Sequence, residues 1–558
     1  EALASLFMEP TEPRVTEDDA RRSSASQPLP AGTGSGASIS PLWLLPAALA
    51  ITLMALFLRG KDLDQGRMSP DDGEFLWSAQ IHHLDPGASS SAWLREDREW
   101  GEALLRDFSQ DEGRSTYPHG YLHQLSIRYA VRLGARAGFG RVTALRLDQA
   151  VFGALTSLLV LLWLRRVAPR EPLIAVAGGA LVAVQLGHVM ISRTGWGQAA
   201  CTFFLMWMIA IAWRMYAEAD ERDTRALTRG ALGITVTSLL AYGFHEMATV
   251  YTFVLAVLVA LLFRTSPTGA SRAPWRSRRV AFGLAACVPV GALTIGLLFF
   301  SEFARDKWFS SSLDATYGWW ERRELAFGYL LDVVAVPRQI SIPVLGLALL
   351  GLAGALTRDA KWLVWLLAWA VVPTLLLFLR FNFPELARIY LPVDVILVVL
   401  AAEGLGVLWA VARGRVGRAL ADGAAVLTVA WCGLVTWSTL FAGPSATLYV
   451  PEVHHPLSPD AHPAGSFDDL AVTLRAAEIT EPVAVAFVWG PLFRVLDLGI
   501  PARLVELDAL PEGEPAPRIV VAPRRSMEAG GRMRSEGGPY ELAARDRYDH
   551  LGLYIRQP

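Results

Sequence analysis

The sequence is short of charge and of cysteine, and it has no metal-ligand spacing. Asp, Glu, Lys and Arg make up 19% of the 558 residues, below the roughly 25% of soluble globular chains. That charge nearly cancels, 51 basic against 53 acidic side chains, so no global field draws the chain to nucleic acid or to an acidic partner. The three cysteines, Cys201, Cys287 and Cys432, each sit inside an apolar run. They read as small hydrophobes and give no disulfide framework. His82-His83 and His454-His455 are adjacent pairs with no third ligand at a helpful spacing, and neighbouring side chains on a helix point in different directions. No metal is assigned; a divalent ion stays open but is not indicated, and no other cofactor is called for. A soluble enzyme, a secreted disulfide scaffold and a DNA-binding module are excluded as readings of the whole chain.

What is abundant is apolar sequence: 53% of residues are hydrophobic and the mean hydropathy is +0.34. Blocks such as Pro41–Leu58 and Val280–Phe300 carry few or no charges, and each is long enough to cross a hydrocarbon core of ~30 Å. Eleven spans are predicted, near 41–59, 149–164, 171–191, 199–213, 230–244, 247–263, 280–300, 341–357, 362–379, 390–412 and 420–441. The stretch 231–263 reads as two short spans meeting at His245-Glu246, because a single helix there would be about 50 Å long at 1.5 Å per residue. Charge favours the same division. With a cytoplasmic N-terminus, the inside loops hold 17 Arg and Lys, and the short outside loops hold Arg193, Arg380 and Arg388, the asymmetry of the positive-inside rule. The expected fold is an α-helical polytopic membrane protein of the inner (plasma) membrane.

Residues 1–40, rich in Ser, Gly, Pro and charge, read as a disordered cytoplasmic tail and not as a cleavable signal. Residues 41–442 form the transmembrane domain, with outside loops at 60–147 and 301–340. The first loop has helical stretches near Glu74–Leu84 and Tyr121–Ala137, the latter with the 3–4 apolar spacing of a helix lying in the membrane interface. The second combines Trp308, Trp319 and Trp320 with Arg305, Lys307, Arg322 and Arg323, a mixture suited to the headgroup level. Residues 443–558 read as a small extracytoplasmic α/β domain. Ser466-Phe467-Asp468-Asp469 opens a helix with a capping-box-like start, and apolar runs follow at Val483–Trp489, Arg503–Leu507, Arg518–Ala522 and Leu551–Ile555.

Two polar motifs in the first outside loop could carry chemistry. Ser69-Pro70-Asp71-Asp72-Gly73-Glu74-Phe75 holds three carboxylates within four residues. They suit the positive end of a helix dipole. Equally, one of these carboxylates could act as a general base, with a second orienting a substrate or a metal and Gly73 allowing a sharp turn between them. Farther on, Thr116-Tyr117-Pro118-His119-Gly120-Tyr121 brackets an imidazole with Pro and Gly. It is either a turn that happens to hold a histidine or a loop that brings His119 and Tyr117 over a membrane-facing pocket.

Asp-Asp-Gly-Glu-Phe after the first span, followed by Tyr-Pro-His-Gly-Tyr before an interfacial helix, resembles the C-type glycosyltransferase superfamily. The likeness is nearest to the protein O-mannosyltransferase and aminoarabinose-transferase group. It continues through Arg146-Leu147-Asp148, Ile191-Ser192-Arg193 and Arg388-Ile389-Tyr390-Leu391-Pro392, covering roughly 41–412. The resemblance implies a polyprenyl-phosphate sugar donor used on the extracytoplasmic side, with Asp71 as the catalytic Asp and Asp72 where the group usually has Glu. The chain departs from the pattern at Gln198, where an acidic residue is common, and at His245-Glu246, where a Lys is common.

The chemistry can be argued from charge alone. A departing phosphate needs cations that strengthen as charge develops, and Arg193, Arg305, Lys307, Arg380 and Arg388 are the ones near the outside face. Among them the resemblance implies Arg388, whose Arg-x-Tyr-x-Pro run with Tyr390 matches the family, as the phosphate ligand, although an Arg at such a depth can also serve only to snorkel. The acceptor hydroxyl, on a protein, lipid or glycan, must lose a proton to a carboxylate, and one base with in-line attack inverts the anomeric centre. Two other classes compete: a transporter of lipid-linked sugars, for which no internal repeat is visible, and a non-catalytic subunit of a membrane complex, which the departures at Gln198 and His245 would favour.

Overall fold

The computed structural model describes residues 41–61, 63, 67–68, 121–168, 172–217, 222–262, 278–300, 341–357, 361–380, 391–412 and 414–441. Beyond these it describes 462–463, 470, 472–474, 483–486, 502–505, 518–523, 540–545 and 551–556. Helices dominate. Among the described residues, five are long and apolar enough to cross a membrane: α3 (Arg141–Val167), α6 (Gln198–Ala217), α9 (Arg278–Phe300), α12 (Leu391–Val411) and α13 (Gly414–Phe441). Shorter apolar stretches lie in α1 (Pro41–Gly60), α4 (Pro172–Val184), α8 (Ala248–Leu262), α10 (Ile342–Thr357) and α11 (Lys361–Arg380). The chain is a multi-pass membrane protein.

Three further helices complete the described bundle. Helix α2 (Tyr121–Arg136) covers the stretch expected to lie in the interface. Helix α7 (Thr224–Phe244) ends at His245, whose backbone turns extended, and α8 begins three residues later. The imidazole Nδ1 of His245 accepts a hydrogen bond from the Met247 amide at 3.2 Å, so the junction supplies its own cap. The third expected span, 171–191, is not one helix. It breaks at Gln185 into α4 and the six-residue α5 (Leu186–Ile191).

The break is held open by side chains from elsewhere. A helix end leaves its last carbonyls without intrahelical partners, and here Arg59 donates to Val182 O and Ala183 O while Thr436 Oγ1 donates to Val184 O. Partners more than 120 positions away in α1 and 250 away in α13 leave no local mark in the apolar run, which is why its pattern reads as continuous.

The deepest packing joins α10 to α12. A Cβ on Gly351 would overlap the Leu400 carbonyl, and one on Gly404 would overlap the Leu347 carbonyl. Each glycine therefore lies under the carbonyl one turn back on the other helix. Since Cα–Cβ bonds tilt toward a helix's N-terminus, this reciprocity means that α10 and α12 run in the same direction. Small residues that let backbones meet are the usual means of helix association in lipid, where apolar side chains gain little by leaving the bilayer.

Outside the bundle, β3 (Val483–Ala486), β4 (Ala502–Val505), β5 (Ile519–Pro523), β6 (Tyr540–Arg545) and β7 (Leu551–Arg556) form one sheet in the order β4-β3-β5-β7-β6. The first three strands are parallel, and β7 and β6 add antiparallel pairs, with a register shift in β6 between Leu542 and Ala544. Buried Val483, Ile519, Val520 and Val521 line its middle. A second, two-stranded ribbon pairs β1 (Arg67–Met68) with β2 (His462–Pro463), joining the segment after α1 to the segment after α13.

Candidate functional site

Most of the nominated residues, Asp71, Asp72, Glu74, Tyr117, His119, Arg305, Lys307, Arg388 and Tyr390, lie outside the described residues, as does the expected helix Glu74–Leu84. Their flanks are placed. Asp71 follows β1 by three residues, His119 precedes α2 by two, Tyr390 immediately precedes α12, and Arg380 closes α11. Of the nominated side chains, Arg193 is described in full.

Arg193 is buried in the turn after α5. Its Nη1 stands 3.0, 3.2 and 2.7 Å from the carbonyl oxygens of Leu58, Arg59 and Lys61, and its guanidinium carbon lies 5.1 Å from the Phe441 ring centroid. It caps the C-terminal end of α1, where a cation also meets the negative end of the helix dipole. Beneath it, the fully buried Arg59 donates to Ala55 O, Ala183 O and Val182 O, and its Nη2 lies 2.7 Å from His188 Nδ1. Because the guanidinium can only donate, Nδ1 accepts and the imidazole proton sits on Nε2. No carboxylate pairs with Arg59 among the described residues. Gly153 makes room for this layer, since a Cβ there would overlap Ser192 Oγ and stand 2.7 Å from Arg59 Nε.

A second polar group ties α2 to the bundle. Ser126 Oγ donates to Asp148 Oδ2, and Gln149 binds the same carboxylate through its backbone N at 2.7 Å and its Nε2 at 3.0 Å. Gln149 Oε1 then accepts from the Ala200 amide at 3.1 Å, satisfying one of the orphan donors at the start of α6. His123 Nε2 lies 2.7 Å from Gly195 O, and Arg146 Nη1 donates to Leu63 O at 2.8 Å. Gly197 sits so close to α7 that a Cβ would stand 2.7 Å from Phe244 O. Helix α2, the turn 192–198 and the residues just after α1 are therefore one hydrogen-bonded unit.

The sequence reading missed Arg59, His188 and Asp394. Asp394, in the first turn of α12, is 2% exposed, and neither carboxylate oxygen has a hydrogen-bond partner among the described residues. The available signal was simple: an ionisable residue inside or at the edge of an apolar run marks a function or a structural pair. Chemically, three buried guanidiniums at one end of the bundle, Arg59, Arg146 and Arg193, raise the local potential and suit an anionic group nearby. Among the described residues no three His, Cys, Asp or Glu side chains gather as a metal would require.

No protein-family model matches the chain, and no curated protein matches it in sequence. Its fold is that of ArnT from Cupriavidus metallidurans. The structure of that protein bound to undecaprenyl phosphate aligns at a TM-score of 0.50 and 14% identity, over 93% of this chain and 100% of that one. The apo state gives the same TM-score and identity over 93% and 98%. The mycobacterial arabinofuranosyltransferase AftD aligns more loosely, with a TM-score of 0.42 and 16% identity over 94% of this chain and 40% of that one.

Proposed function

We infer that this chain, which has the fold of the C-type glycosyltransferases, moves a sugar from a polyprenyl-phosphate donor to an acceptor hydroxyl on the extracytoplasmic side of the membrane. The observation that carries the reading is the end-to-end structural likeness to ArnT, a protein crystallised with undecaprenyl phosphate. The order of motifs along the chain supports it.

In this reading eleven helices cross the membrane, the N-terminus is cytoplasmic, and the loop from Gly60 and the segment after Phe441 are extracytoplasmic, the latter as an α/β domain. Asp71 takes the acceptor's proton while Asp72 and Glu74 orient the sugar, and Tyr117 and His119 close the site from the loop before α2. The anomeric carbon inverts, because a single base drives in-line attack. Arg388 holds the donor phosphate with Arg380 and Tyr390, and Arg305 and Lys307 lie within the second outside loop to assist. Arg fits this task because its planar fork can bond two phosphate oxygens and stays charged at any working pH. Arg193 contributes its charge to the same region, since its Nη1 is already engaged by carbonyls.

The test is transfer by purified protein given a panel of polyprenyl-phosphate sugars. Asp71→Asn keeps the shape of the side chain but cannot accept a proton, and should lower the rate about 10²–10⁴-fold. Near-normal turnover by folded Asp71→Asn protein would remove Asp71 from the mechanism. Arg388→Ala should cost about ten- to a hundredfold, and Arg388→Lys less.

A further inference from the structure

Helices α1 and α13 flank α4 and reach its C-terminal end together. Arg59 of α1 holds Val182 O and Ala183 O there, and Thr436 of α13 holds Val184 O. At the same level Phe57 stacks on Trp437, with ring centroids 6.1 Å apart and 12° between planes. Below the stack each of the two helices packs on α4 and scarcely on the other. Side-chain size explains the parting. Two turns back on the face of Phe57 stands Ala50, two turns back on the face of Trp437 stands Ala430, and two turns farther stands Gly423. Rings bridge the gap between the helices, and methyl groups do not. Ala50 and Ala430 are exposed, and nothing lies within 4 Å of a Cβ added at Gly423.

An apolar slot therefore opens between α1 and α13, with α4 as its floor. At 1.5 Å per residue Ala430 lies about 10 Å below the ring stack and Gly423 about 21 Å below it. The slot thus spans the depth of one leaflet, half of a hydrocarbon core of ~30 Å. Its mouth is positive. Lys61, the residue after α1, has its Nζ 5.8 Å from the Trp437 ring centroid and 5.1 Å from that of Phe441. The Arg193 guanidinium lies 5.1 Å from the same Phe441 ring. A lysine and a tryptophan at a helix end serve in many membrane proteins only as interfacial anchors, and exposed apolar faces meet bulk lipid. Neither role calls for two cations at the head of a slot one leaflet deep. A partner's helix, about 10 Å across, is too wide for walls that two stacked rings bridge.

We propose that this slot holds one anionic glycerophospholipid, with its phosphate at Lys61 and one acyl chain between α1 and α13. Lysine binds phosphate as a point charge, and the Arg193 charge behind the Phe441 ring adds to the same potential. The acyl chain fills the space between walls that Ala50 and Ala430 leave apart, so the lipid fastens the peripheral α13 to α1. The site goes beyond sugar transfer and does not depend on it.

The test is lipid retention by the full-length protein, followed by native mass spectrometry in detergent, with phosphatidylglycerol and phosphatidylcholine of identical acyl chains as probes. The wild type should keep one phosphatidylglycerol at concentrations where phosphatidylcholine is lost. Lys61→Gln should weaken that binding about fivefold, the contribution of one basic residue near a lipid surface, and Lys61→Arg should restore it. Ala430→Phe fills the slot and leaves both cations in place. It should weaken binding at least as much, whereas Val288→Phe, on the exposed face of α9, should change nothing. Phosphatidylglycerol should also raise the thermal midpoint of the wild type, as a ligand of the folded state does, and leave that of Ala430→Phe unmoved. If Ala430→Phe is not monodisperse, Ala50→Phe makes the same test from the opposite wall. Equal retention of the two lipids would mean an ordinary lipid annulus and overturn the proposal. Loss in Lys61→Gln without loss in the slot variants would mean a headgroup contact alone, and would overturn it too. A polyprenyl phosphate that displaces phosphatidylglycerol at equal concentration would give the slot to that lipid instead.

Discussion

Helices α12 and α13 are consecutive in the chain and both apolar enough to cross a membrane, yet 78% of the apolar window of α12 is buried and 17% of that of α13. In water such a difference would follow hydropathy. In lipid it cannot, because the bilayer accepts an apolar side chain as readily as the protein does. What separates the two helices is backbone access and polar partners. Helix α12 brings Gly404 against Gly351, and Ala402 against Gly178 of α4. Helix α13 is fastened at discrete points, by Thr436 to Val184 O, by Cys432 to Ser341 and by the rings at its tip to Lys61 and Arg193.

The largest effect should come from the glycine crossing. In Gly404→Ala the new methyl overlaps a backbone carbonyl, which cannot rotate away as a side chain can. Ordinary overpacking costs about 1–3 kcal/mol, and this should exceed it, with loss of monodisperse protein on size exclusion. Gly423→Ala on α13, where nothing lies within 4 Å of the added Cβ, should leave the profile intact and raise stability by up to about 1 kcal/mol. A well-behaved Gly404→Ala protein would show that α10 and α12 are not in backbone contact.

Next is Arg59→Leu. Removing the guanidinium strands the carbonyls of Val182 and Ala183 and leaves His188 without its donor. Each buried group left unsatisfied costs about 1–3 kcal/mol, so a loss of about 3 kcal/mol or more is expected in the thermal midpoint. A midpoint within a degree of wild type would mean that the break at Gln185 does not depend on Arg59.

These two cases also show what the sequence could disclose. Helix boundaries governed by local signals were legible: the helix expected at Tyr121–Ala137 is found at Tyr121–Arg136, and the junction expected at His245-Glu246 separates α7 from α8. Apolar runs near 483, 503, 518 and 551 each carry a strand. Strand β6 was missed because it is largely exposed and its alternation is interrupted by a bulge. The break in the third span was missed because its causes are Arg59 and Thr436, far away in sequence. The site follows the same division. Arg193 was nominated from its charge and sidedness, but the carbonyls it holds lie 132–135 positions away, and no local pattern gives that.

Thr436→Val sharpens the comparison from the other side. Thr436 and Arg59 serve the same C-terminal end of α4, one from the peripheral helix and one from α1. The substitution keeps the shape and leaves a single carbonyl, Val184 O, without its donor. A loss of about 1–2 kcal/mol is expected, smaller than for Arg59→Leu. If Thr436→Val proves the more damaging of the two, α13 is as integral to the core as α12, and the contrast drawn from burial fails.

The smallest effect is expected where hydropathy alone would predict a large one. Leu427 is 70% exposed on α13 and Leu400 is 1% exposed on α12. Leu400→Ala opens a cavity that the surrounding helices cannot fill, and should cost about 2–5 kcal/mol. Leu427→Ala removes the same atoms from a face that lipid chains contact. Acyl chains flow into the space, so no cavity term arises, and the change should stay within about 0.5 kcal/mol. Both variants can be compared by thermal unfolding in the same nanodiscs. A loss for Leu427→Ala as large as that for Leu400→Ala would mean that the outer face of α13 is packed against protein rather than lipid.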